Sequence, residues 1–270
     1  MRSATLPRTV PARPGPGREP VEVVLLDMDD TIFDHSLTCR AAIASLRSSR
    51  PFLRRRPLDE LWRNYLQLLD DVTPYAGGGG TTPDEARKER WRRIALRCGQ
   101  ELGPAEVADL SQDYRARYQK LRRAVPGARE LLERLHNRVQ VVVVTNNEVA
   151  EQEEKVRFLG VGPLLDGLVV SEAVGTAKPD RQIFEVALAT VGVRAEQATM
   201  LGDSWTSDVL GAEGAGVRPV WFNRFGLPRP GARPIDELRS LRPLRPAQEL
   251  LLGGPLPSSG GRRFPAPSAL

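Results

Sequence analysis

Short apolar runs punctuate the chain, and each stops at polar or turn-forming residues. Val21–Leu26 (VEVVLL) ends at Asp27, and Gln140–Val144 (QVVVV) at Thr145-Asn146-Asn147. Leu168–Val170 ends at Ser171-Glu172, and Ala198–Leu201 at Gly202-Asp203. Val217–Phe222 (VRPVWF) is a further run of the same kind. Brief, Val-rich stretches bounded in this way predict buried strands. Pro219 cannot donate to a ladder, so the last strand is expected at a sheet edge. Apolar residues recur every three or four positions over Glu148–Leu159, Arg181–Val191 and Thr206–Ala215, as in amphipathic helices. Strand–helix alternation implies right-handed crossovers, and so a doubly wound, parallel, Rossmann-like α/β sheet. In such sheets ligands sit beyond the carboxyl ends of the strands. Asp27, Thr145 and Asp203 each directly follow a predicted strand or its apolar run.

A long insertion interrupts the alternation after the first strand. Ala41–Leu46, Leu58–Leu69, Asp84–Leu102 and Pro104–Leu121 carry helical periodicity, with a flexible break at Gly77–Gly80. Pro126-Gly127 then opens a helix over Ala128–His136. The expected organisation is a disordered basic tail over 1–20 and an α/β core of 21–35 and 126–235. A helical cap over 36–125 lies between the two core segments, and a Pro/Gly-rich, largely disordered extension covers 236–270.

Composition narrows the function. The chain has 270 residues, 40% hydrophobic and 27% charged, enough for a soluble globular core. No apolar run approaches the roughly 20 residues that cross a bilayer, and Met1–Pro20 has no secretory apolar segment. Two cysteines, Cys39 and Cys98, are too few for a disulfide framework or zinc site, which favours a reducing cytoplasm. The net charge of +5 suggests nucleic acid until it is located. Residues 1–20 hold four Arg and one Glu, and residues 253–270 two Arg, so residues 21–252 are neutral. Inside them the charge is uneven: residues 21–34 hold five acids and no base, whereas 35–135 hold 20 bases and 13 acids. An acidic pocket beneath a basic insertion suits a small anionic substrate better than a nucleic-acid duplex.

The candidate chemistry begins with Asp27-Met28-Asp29-Asp30-Thr31. Residues i and i+2 share a side of an extended chain, so Asp27 and Asp29 are expected to face one pocket. Close carboxylates repel unless a hard cation such as Mg²⁺ lies between them. Asp203 and Asp208, in Gly202-Asp203-Ser204-Trp205-Thr206-Ser207-Asp208, add carboxylates at the same sheet edge. Thr145-Asn146-Asn147 offers a hydroxyl and free N–H groups at a helix start, suited to phosphate oxygens. Lys178 precedes another helix in a chain with only four lysines: Lys88, Lys120, Lys155 and Lys178. A compact ammonium can approach a phosphate and a carboxylate together.

These motifs, LLDMDDTIFDHS (25–36), VVVVTNN (141–147), SEAVGTAKPDRQIFEVAL (171–188) and LGDSWTSDVLGAEGAGVRPVWFNR (201–224), resemble the haloacid dehalogenase-like superfamily. The resemblance covers about residues 22–224 and points to phosphatase members with a helical (C1-type) cap. It implies that Asp27 is the nucleophile and that Asp29 protonates the leaving alcohol and then activates water. Thr145 and the Asn146 N–H would bind the phosphoryl group, and Lys178 would neutralise charge. Asp27, Asp203 and the Asp29 carbonyl would hold Mg²⁺, with Asp208 orienting Lys178 or metal waters and Thr31 supporting the loop. Dehalogenating members lack the second aspartate, so Asp29 favours phosphate-ester hydrolysis. The expected substrate is a small phosphorylated metabolite: a sugar phosphate, phosphoglycolate or a nucleoside monophosphate. A phosphomutase, or a non-catalytic binding protein keeping the fold, are the alternatives; the chain would be a monomer or homodimer.

Other residues carry plainer expectations. His35 is expected to be structural, as is Trp205, and Arg54-Arg55-Arg56 a solvated run. Trp62, Tyr65 and Trp91 are expected in the core of the insertion, with Cys39 and Cys98 as small buried hydrophobes.

Overall fold

The computed structural model describes residues 19–72 and 82–254. The Gly77–Gly80 break and nearly all of the N-terminal tail lie outside them. The strands are β1 (Val23–Leu26), β2 (Gln140–Thr145), β3 (Gly167–Val170), β4 (Ala198–Gly202), β5 (Arg218–Phe222) and β6 (Asp236–Leu238). The helices of the insertion are α1 (His35–Ser49), α2 (Leu58–Val72), α3 (Pro83–Arg97) and α4 (Pro104–Lys120). Those of the core are α5 (Ala128–His136), α6 (Val149–Leu159), α7 (Ser171–Val174), α8 (Arg181–Val191), α9 (Gly211–Gly214) and α10 (Leu244–Leu251).

The strands form one parallel sheet in the order β3-β2-β1-β4-β5-β6. β1 is central, with Leu25 matched to Val142 on one side and Met200 on the other. Alternation along the strands divides the apolar residues between two faces. Val24, Leu26, Val141 and Val143 pack with Leu131 and Leu135 of α5. Val23, Leu25, Val142 and Val144 pack with Ile183, Phe184 and Ala187 of α8. This explains why the strands read as continuous apolar runs: both faces are covered.

The insertion has its own apolar core. Ile43 and Leu46 of α1, Leu61, Tyr65 and Leu68 of α2, Trp91 and Ile94 of α3 and Tyr114 of α4 are buried together. Cys39 and Cys98, both free, belong to the same cluster, and Trp62 packs against it. Thr82 and Glu85 form a reciprocal capping box at the start of α3, and the Asp34 side chain accepts the Leu37 N–H at α1. Two adjacent linkers join the insertion to the sheet: Asp34 N–H donates to the Arg123 carbonyl at 3.0 Å, and Val125 N–H to Ile32 at 3.0 Å.

Three expectations need correction. β5 is not an edge strand, because β6 pairs with its far side; that pairing starts only at Val220, just past Pro219. The extension beyond 235 is structured as far as it is described: residues 236–254 supply β6 and α10. Composition hid this, but Leu241, Ala247 and Leu251 bury against the sheet, and Arg218 donates to the carbonyls of Leu250 and Leu251 at 2.7 Å. The helix expected over Thr206–Ala215 is split into a π-turn at Trp205–Leu210 followed by α9. Such wide turns occur often at functional sites. No helix among the described residues is long and apolar enough to cross a membrane.

Candidate active site

The carboxyl ends of β1, β2 and β4 converge where the strand order changes direction, on either side of β1. Asp27 follows β1, and its N–H donates to the Leu201 carbonyl at 2.9 Å, which continues the ladder one residue past the strand. The chain then turns tightly. Ile32 and Phe33 N–H both reach the Met28 carbonyl, and Asp30 adopts a left-handed φ of 59°. This turn sends the Asp27 and Asp29 side chains to different partners.

Asp27 lies against buried Lys178, whose Nζ donates to Asp27 Oδ1 at 2.6 Å and to Asp208 Oδ1 at 2.7 Å. Asp27, Asp203 and Asp208 offer oxygens that all lie within 4.8 Å of one another. Burial, with Asp208 and Asp29 nearby, outweighs Lys178 and pushes Asp27 up to about 7. Burial and the charges of Asp27, Asp208 and Asp30 hold Asp203 well above the usual carboxylate range. Three carboxylates thus share one ammonium. Hard oxygen donors with uncompensated charge fit a divalent cation such as Mg²⁺. The side-chain donors are Asp27, Asp203 and Asp208; the Asp29 side chain is not among them.

Local sequence builds this pocket. Gly202 is required because a Cβ there would collide with the Asp208 carboxylate. Asp208 is fixed by the π-turn, where its Oδ2 accepts the Ser204 N–H at 2.9 Å. Trp221 Nε1 donates to the Asp203 carbonyl at 2.9 Å, and Trp205 packs edge-on to Trp221, as a structural role requires.

Thr145 closes β2 and is buried. Asn146 acts differently from a plain phosphate ligand. Its side chain donates to the Lys178 carbonyl at 2.8 Å and accepts the Lys178 N–H at 2.7 Å. It therefore holds the lysine loop, leaving only its main chain for a ligand. Thr31 is fully buried, and its hydroxyl has no partner among the described residues.

The Asp29 side chain turns to partners on α6 and is not part of the Asp27–Asp203–Asp208 cluster, although its charge still reaches Asp27. Lys155 Nζ of α6 donates to both its oxygens at 2.8 Å, and Gln152 Nε2 to Oδ2 at 3.3 Å. Burial opposes ionisation, but Lys155 and His35 outweigh it and keep Asp29 below its ordinary value. His35 Nδ1 lies 3.6 Å from Asp29 and 2.9 Å from the Tyr118 hydroxyl. Sequence reasoning missed Gln152, Lys155 and Arg224. Lys155 carried the same signal as Lys178, rarity in an arginine-rich chain. Arg224, in the WFNR string, bonds Asp34 Oδ2 at 3.0 Å and ties the sheet to the start of the insertion.

The insertion's positive charge reaches this edge. Burial, with Glu172 and Glu151, raises Glu148 at the start of α6, and Arg87 and Arg115 of the insertion pull it back. Arg54–Arg56, by contrast, are exposed.

Fold and site together define a parallel α/β protein with an acidic, lysine-backed pocket at the carboxyl edge of its sheet and a helical insertion beside it. The sequence profile of the haloacid dehalogenase-like hydrolases matches residues 21–216. The chain belongs to that family, in its phosphatase branch. It is 29% identical over 203 residues to a glyceraldehyde 3-phosphate phosphatase of Pyrococcus furiosus, covering 75% of this chain and 80% of the relative. It is 28% identical to a phosphoserine phosphatase of Thermus thermophilus, covering 80% and 92%. The magnesium-bound crystal structure of the HAD-hydrolase YfnB from Bacillus subtilis superposes with a TM-score of 0.67 at 25% identity, covering 85% of this chain and 99% of that one.

Proposed function

We propose that this enzyme is a Mg²⁺-dependent phosphatase that hydrolyses a small phosphorylated metabolite through an aspartyl-phosphate on Asp27. The observation that carries the proposal is the pocket of Asp27, Asp203 and Asp208 backed by buried Lys178. In the first half-reaction an Asp27 oxygen attacks phosphorus, the bond to the ester oxygen breaks, and Asp29 gives a proton to the leaving alcohol. In the second, water attacks phosphorus, its proton passes to Asp29, and Asp27 is released with inorganic phosphate. Phosphoryl transfer spreads charge over three oxygens, so positioning and electrostatic stabilisation supply most of the catalysis. Lys178 offsets charge on Asp27 and the phosphoryl group, while Thr145 and the Asn146 N–H bind phosphoryl oxygens. A bound divalent cation would lower the repulsion between an anionic nucleophile and an anionic ester. Asp27, Asp203 and Asp208, together with the Asp29 carbonyl, are the groups that would hold it.

The helical insertion acts as the cap, and its arginines draw anionic esters to the cleft. Relatives named for glyceraldehyde 3-phosphate, phosphoserine, ribulose 1,5-bisphosphate and pyrimidine nucleotides support a small phosphorylated metabolite. Sugar phosphates, phosphoglycolate and nucleoside monophosphates are the candidates. Free, buried cysteines suit a reducing compartment, so the proposal places the enzyme in the cytoplasm. A phosphate-release screen over phosphorylated metabolites, with and without Mg²⁺, tests it. Mg²⁺-dependent release of inorganic phosphate is expected. No release from any ester, or migration of phosphate without release, overturns the proposal.

A further inference from the structure

The second lysine pocket has no part in the chemistry described so far beyond holding Asp29. Its construction is specific. Glu151, Gln152 and Lys155 lie on one face of α6, at helical spacings that place their side chains together. Lys155 is 2% exposed, Gln152 fully buried, and both reach across to the nucleophile loop. Lys155 also pairs with Glu151 at 2.9 Å and lies over the Phe33 ring, 5.3 Å from its centre. Burying an ammonium and an amide costs free energy unless each is well partnered. Gln152 is only half partnered: its Oε1 is buried and accepts no hydrogen bond among the described residues. A merely structural glutamine would be better replaced by an apolar residue of similar size. The hydrogen bond its side chain makes among the described residues is to Asp29 Oδ2.

Both Asp29 oxygens are gripped from α6, yet the side chain stays 24% exposed. A carboxylate held by two donors cannot rotate freely, and it still has lone pairs for an incoming proton. That is the state a base needs at the moment water attacks the phosphoenzyme.

We propose that Gln152 and Lys155 are positioning residues for the hydrolytic half of the reaction, fixing the Asp29 carboxylate as the base that deprotonates the attacking water. This rests on the aspartyl-phosphate mechanism above. In the step they serve, the water oxygen bonds to phosphorus, the bond between phosphorus and Asp27 breaks, and the water proton moves to Asp29. Phosphate leaves, and the proton on Asp29 is available for the next leaving alcohol.

The test uses 4-nitrophenyl phosphate, whose leaving group departs without a proton, so the first half-reaction is insensitive to Asp29. Rapid-mixing kinetics on the full chain with Mg²⁺ compare wild type, Gln152→Leu and Lys155→Met. For Gln152→Leu we expect a nitrophenolate burst near one per enzyme, at a rate close to the wild-type first turnover. Steady-state turnover then falls roughly ten- to a hundredfold, the size of effect misplacement of a catalytic group produces. Acid quenching should recover accumulated phosphoenzyme. Gln152→Leu removes an orphaned buried acceptor, so its Tm should not fall, which separates positioning from stability. Lys155→Met should show the same split more strongly; if it fails to fold, Gln152→Leu decides alone. Burst and steady state falling together, or an unchanged steady state, overturn the inference. Absence of wild-type turnover instead defeats the phosphatase mechanism itself.

Discussion

Asp27 and Asp29 stand one residue apart, and each meets its own buried lysine, but the two pockets are electrostatically opposite. Around Asp27, three carboxylates share Lys178, and the nucleophile is pushed up to about 7. Around Asp29, Lys155 is joined by Gln152 and His35, and their pull outweighs burial, so Asp29 stays below its ordinary value. The first pocket is short of positive charge and suited to a cation. The second is complete within the protein. A neutralised carboxylate can be held as a base, whereas one crowded by acids can be masked by a metal and used as a nucleophile. The difference therefore assigns the two aspartates different work without reference to their spacing.

The sharpest way to break the comparison is Asp27→Asn. It should remove Mg²⁺-dependent hydrolysis of an aryl phosphate by at least ~10³-fold, as loss of a covalent nucleophile does, with the circular dichroism spectrum unchanged. Activity near wild type would remove Asp27 from the nucleophile role.

Lys178→Met should follow closely. It leaves Asp27 and Asp208 buried without their ammonium, a loss of about 3–5 kcal/mol where one partner of a buried pair is removed. Because Asp27, raised to about 7, takes up a proton as pH falls, the fall in Tm without divalent cations should be larger at pH 8 than at pH 5. An equal fall at both pH values would show that Lys178 does not neutralise them.

Gly202→Ala tests the geometry. The added methyl collides with the Asp208 carboxylate, so turnover should drop by roughly a hundredfold or less, as for a misplaced group. Wild-type kinetics would mean that Asp208 need not sit where the π-turn places it.

The smallest effect is a stability difference with pH. Asp27 has a folded value near 7 against 3.8 unfolded, so its ionisation in the metal-free protein costs stability as pH rises from about 4 to 7. Asp29 is shifted the opposite way: its contribution is present above 3.8 and lost only as pH falls below it. Mg²⁺ binds the ionised cluster and stabilises by mass action, so its Tm increment should grow from pH 5 to pH 8. An increment that shrinks over that range would reverse the assignment of the first pocket.

Much of this site was legible as text. The ends of β1, β2 and β4 were marked by a break from Val and Leu to Asp, Thr or Gly, because strands covered on both faces are mostly apolar until they leave the sheet. Lys178 was conspicuous because the chain otherwise uses arginine. Lys155 carried the same mark and was passed over, since on a helix among Glu151, Glu153 and Glu154 it reads as one more surface charge pair. Only the packing of α6 against the nucleophile loop makes it 2% exposed. The fold beyond residue 235 was obscured in the same way. Its six Pro and four Gly read as a loop, yet leucines such as Leu241 and Leu251 bury against the sheet alongside β6, which pairs with β5.

The sequence by itself determined the parallel α/β class, the position of the helical insertion, and Asp27, Thr145 and Asp203 at the strand ends with Lys178 and Asp208 in the segments beyond them. These follow from local patterns: strand periodicity, turn residues, and motifs within a few residues of one another. Tertiary structure decided which aspartate meets which lysine, that Asn146 holds the Lys178 loop, and that Asp29 lies in a cradle built by α6. Those pairings join residues 32 to 151 positions apart, and two of them turn on a single left-handed residue, Asp30; local pattern does not encode where such a turn aims its side chains.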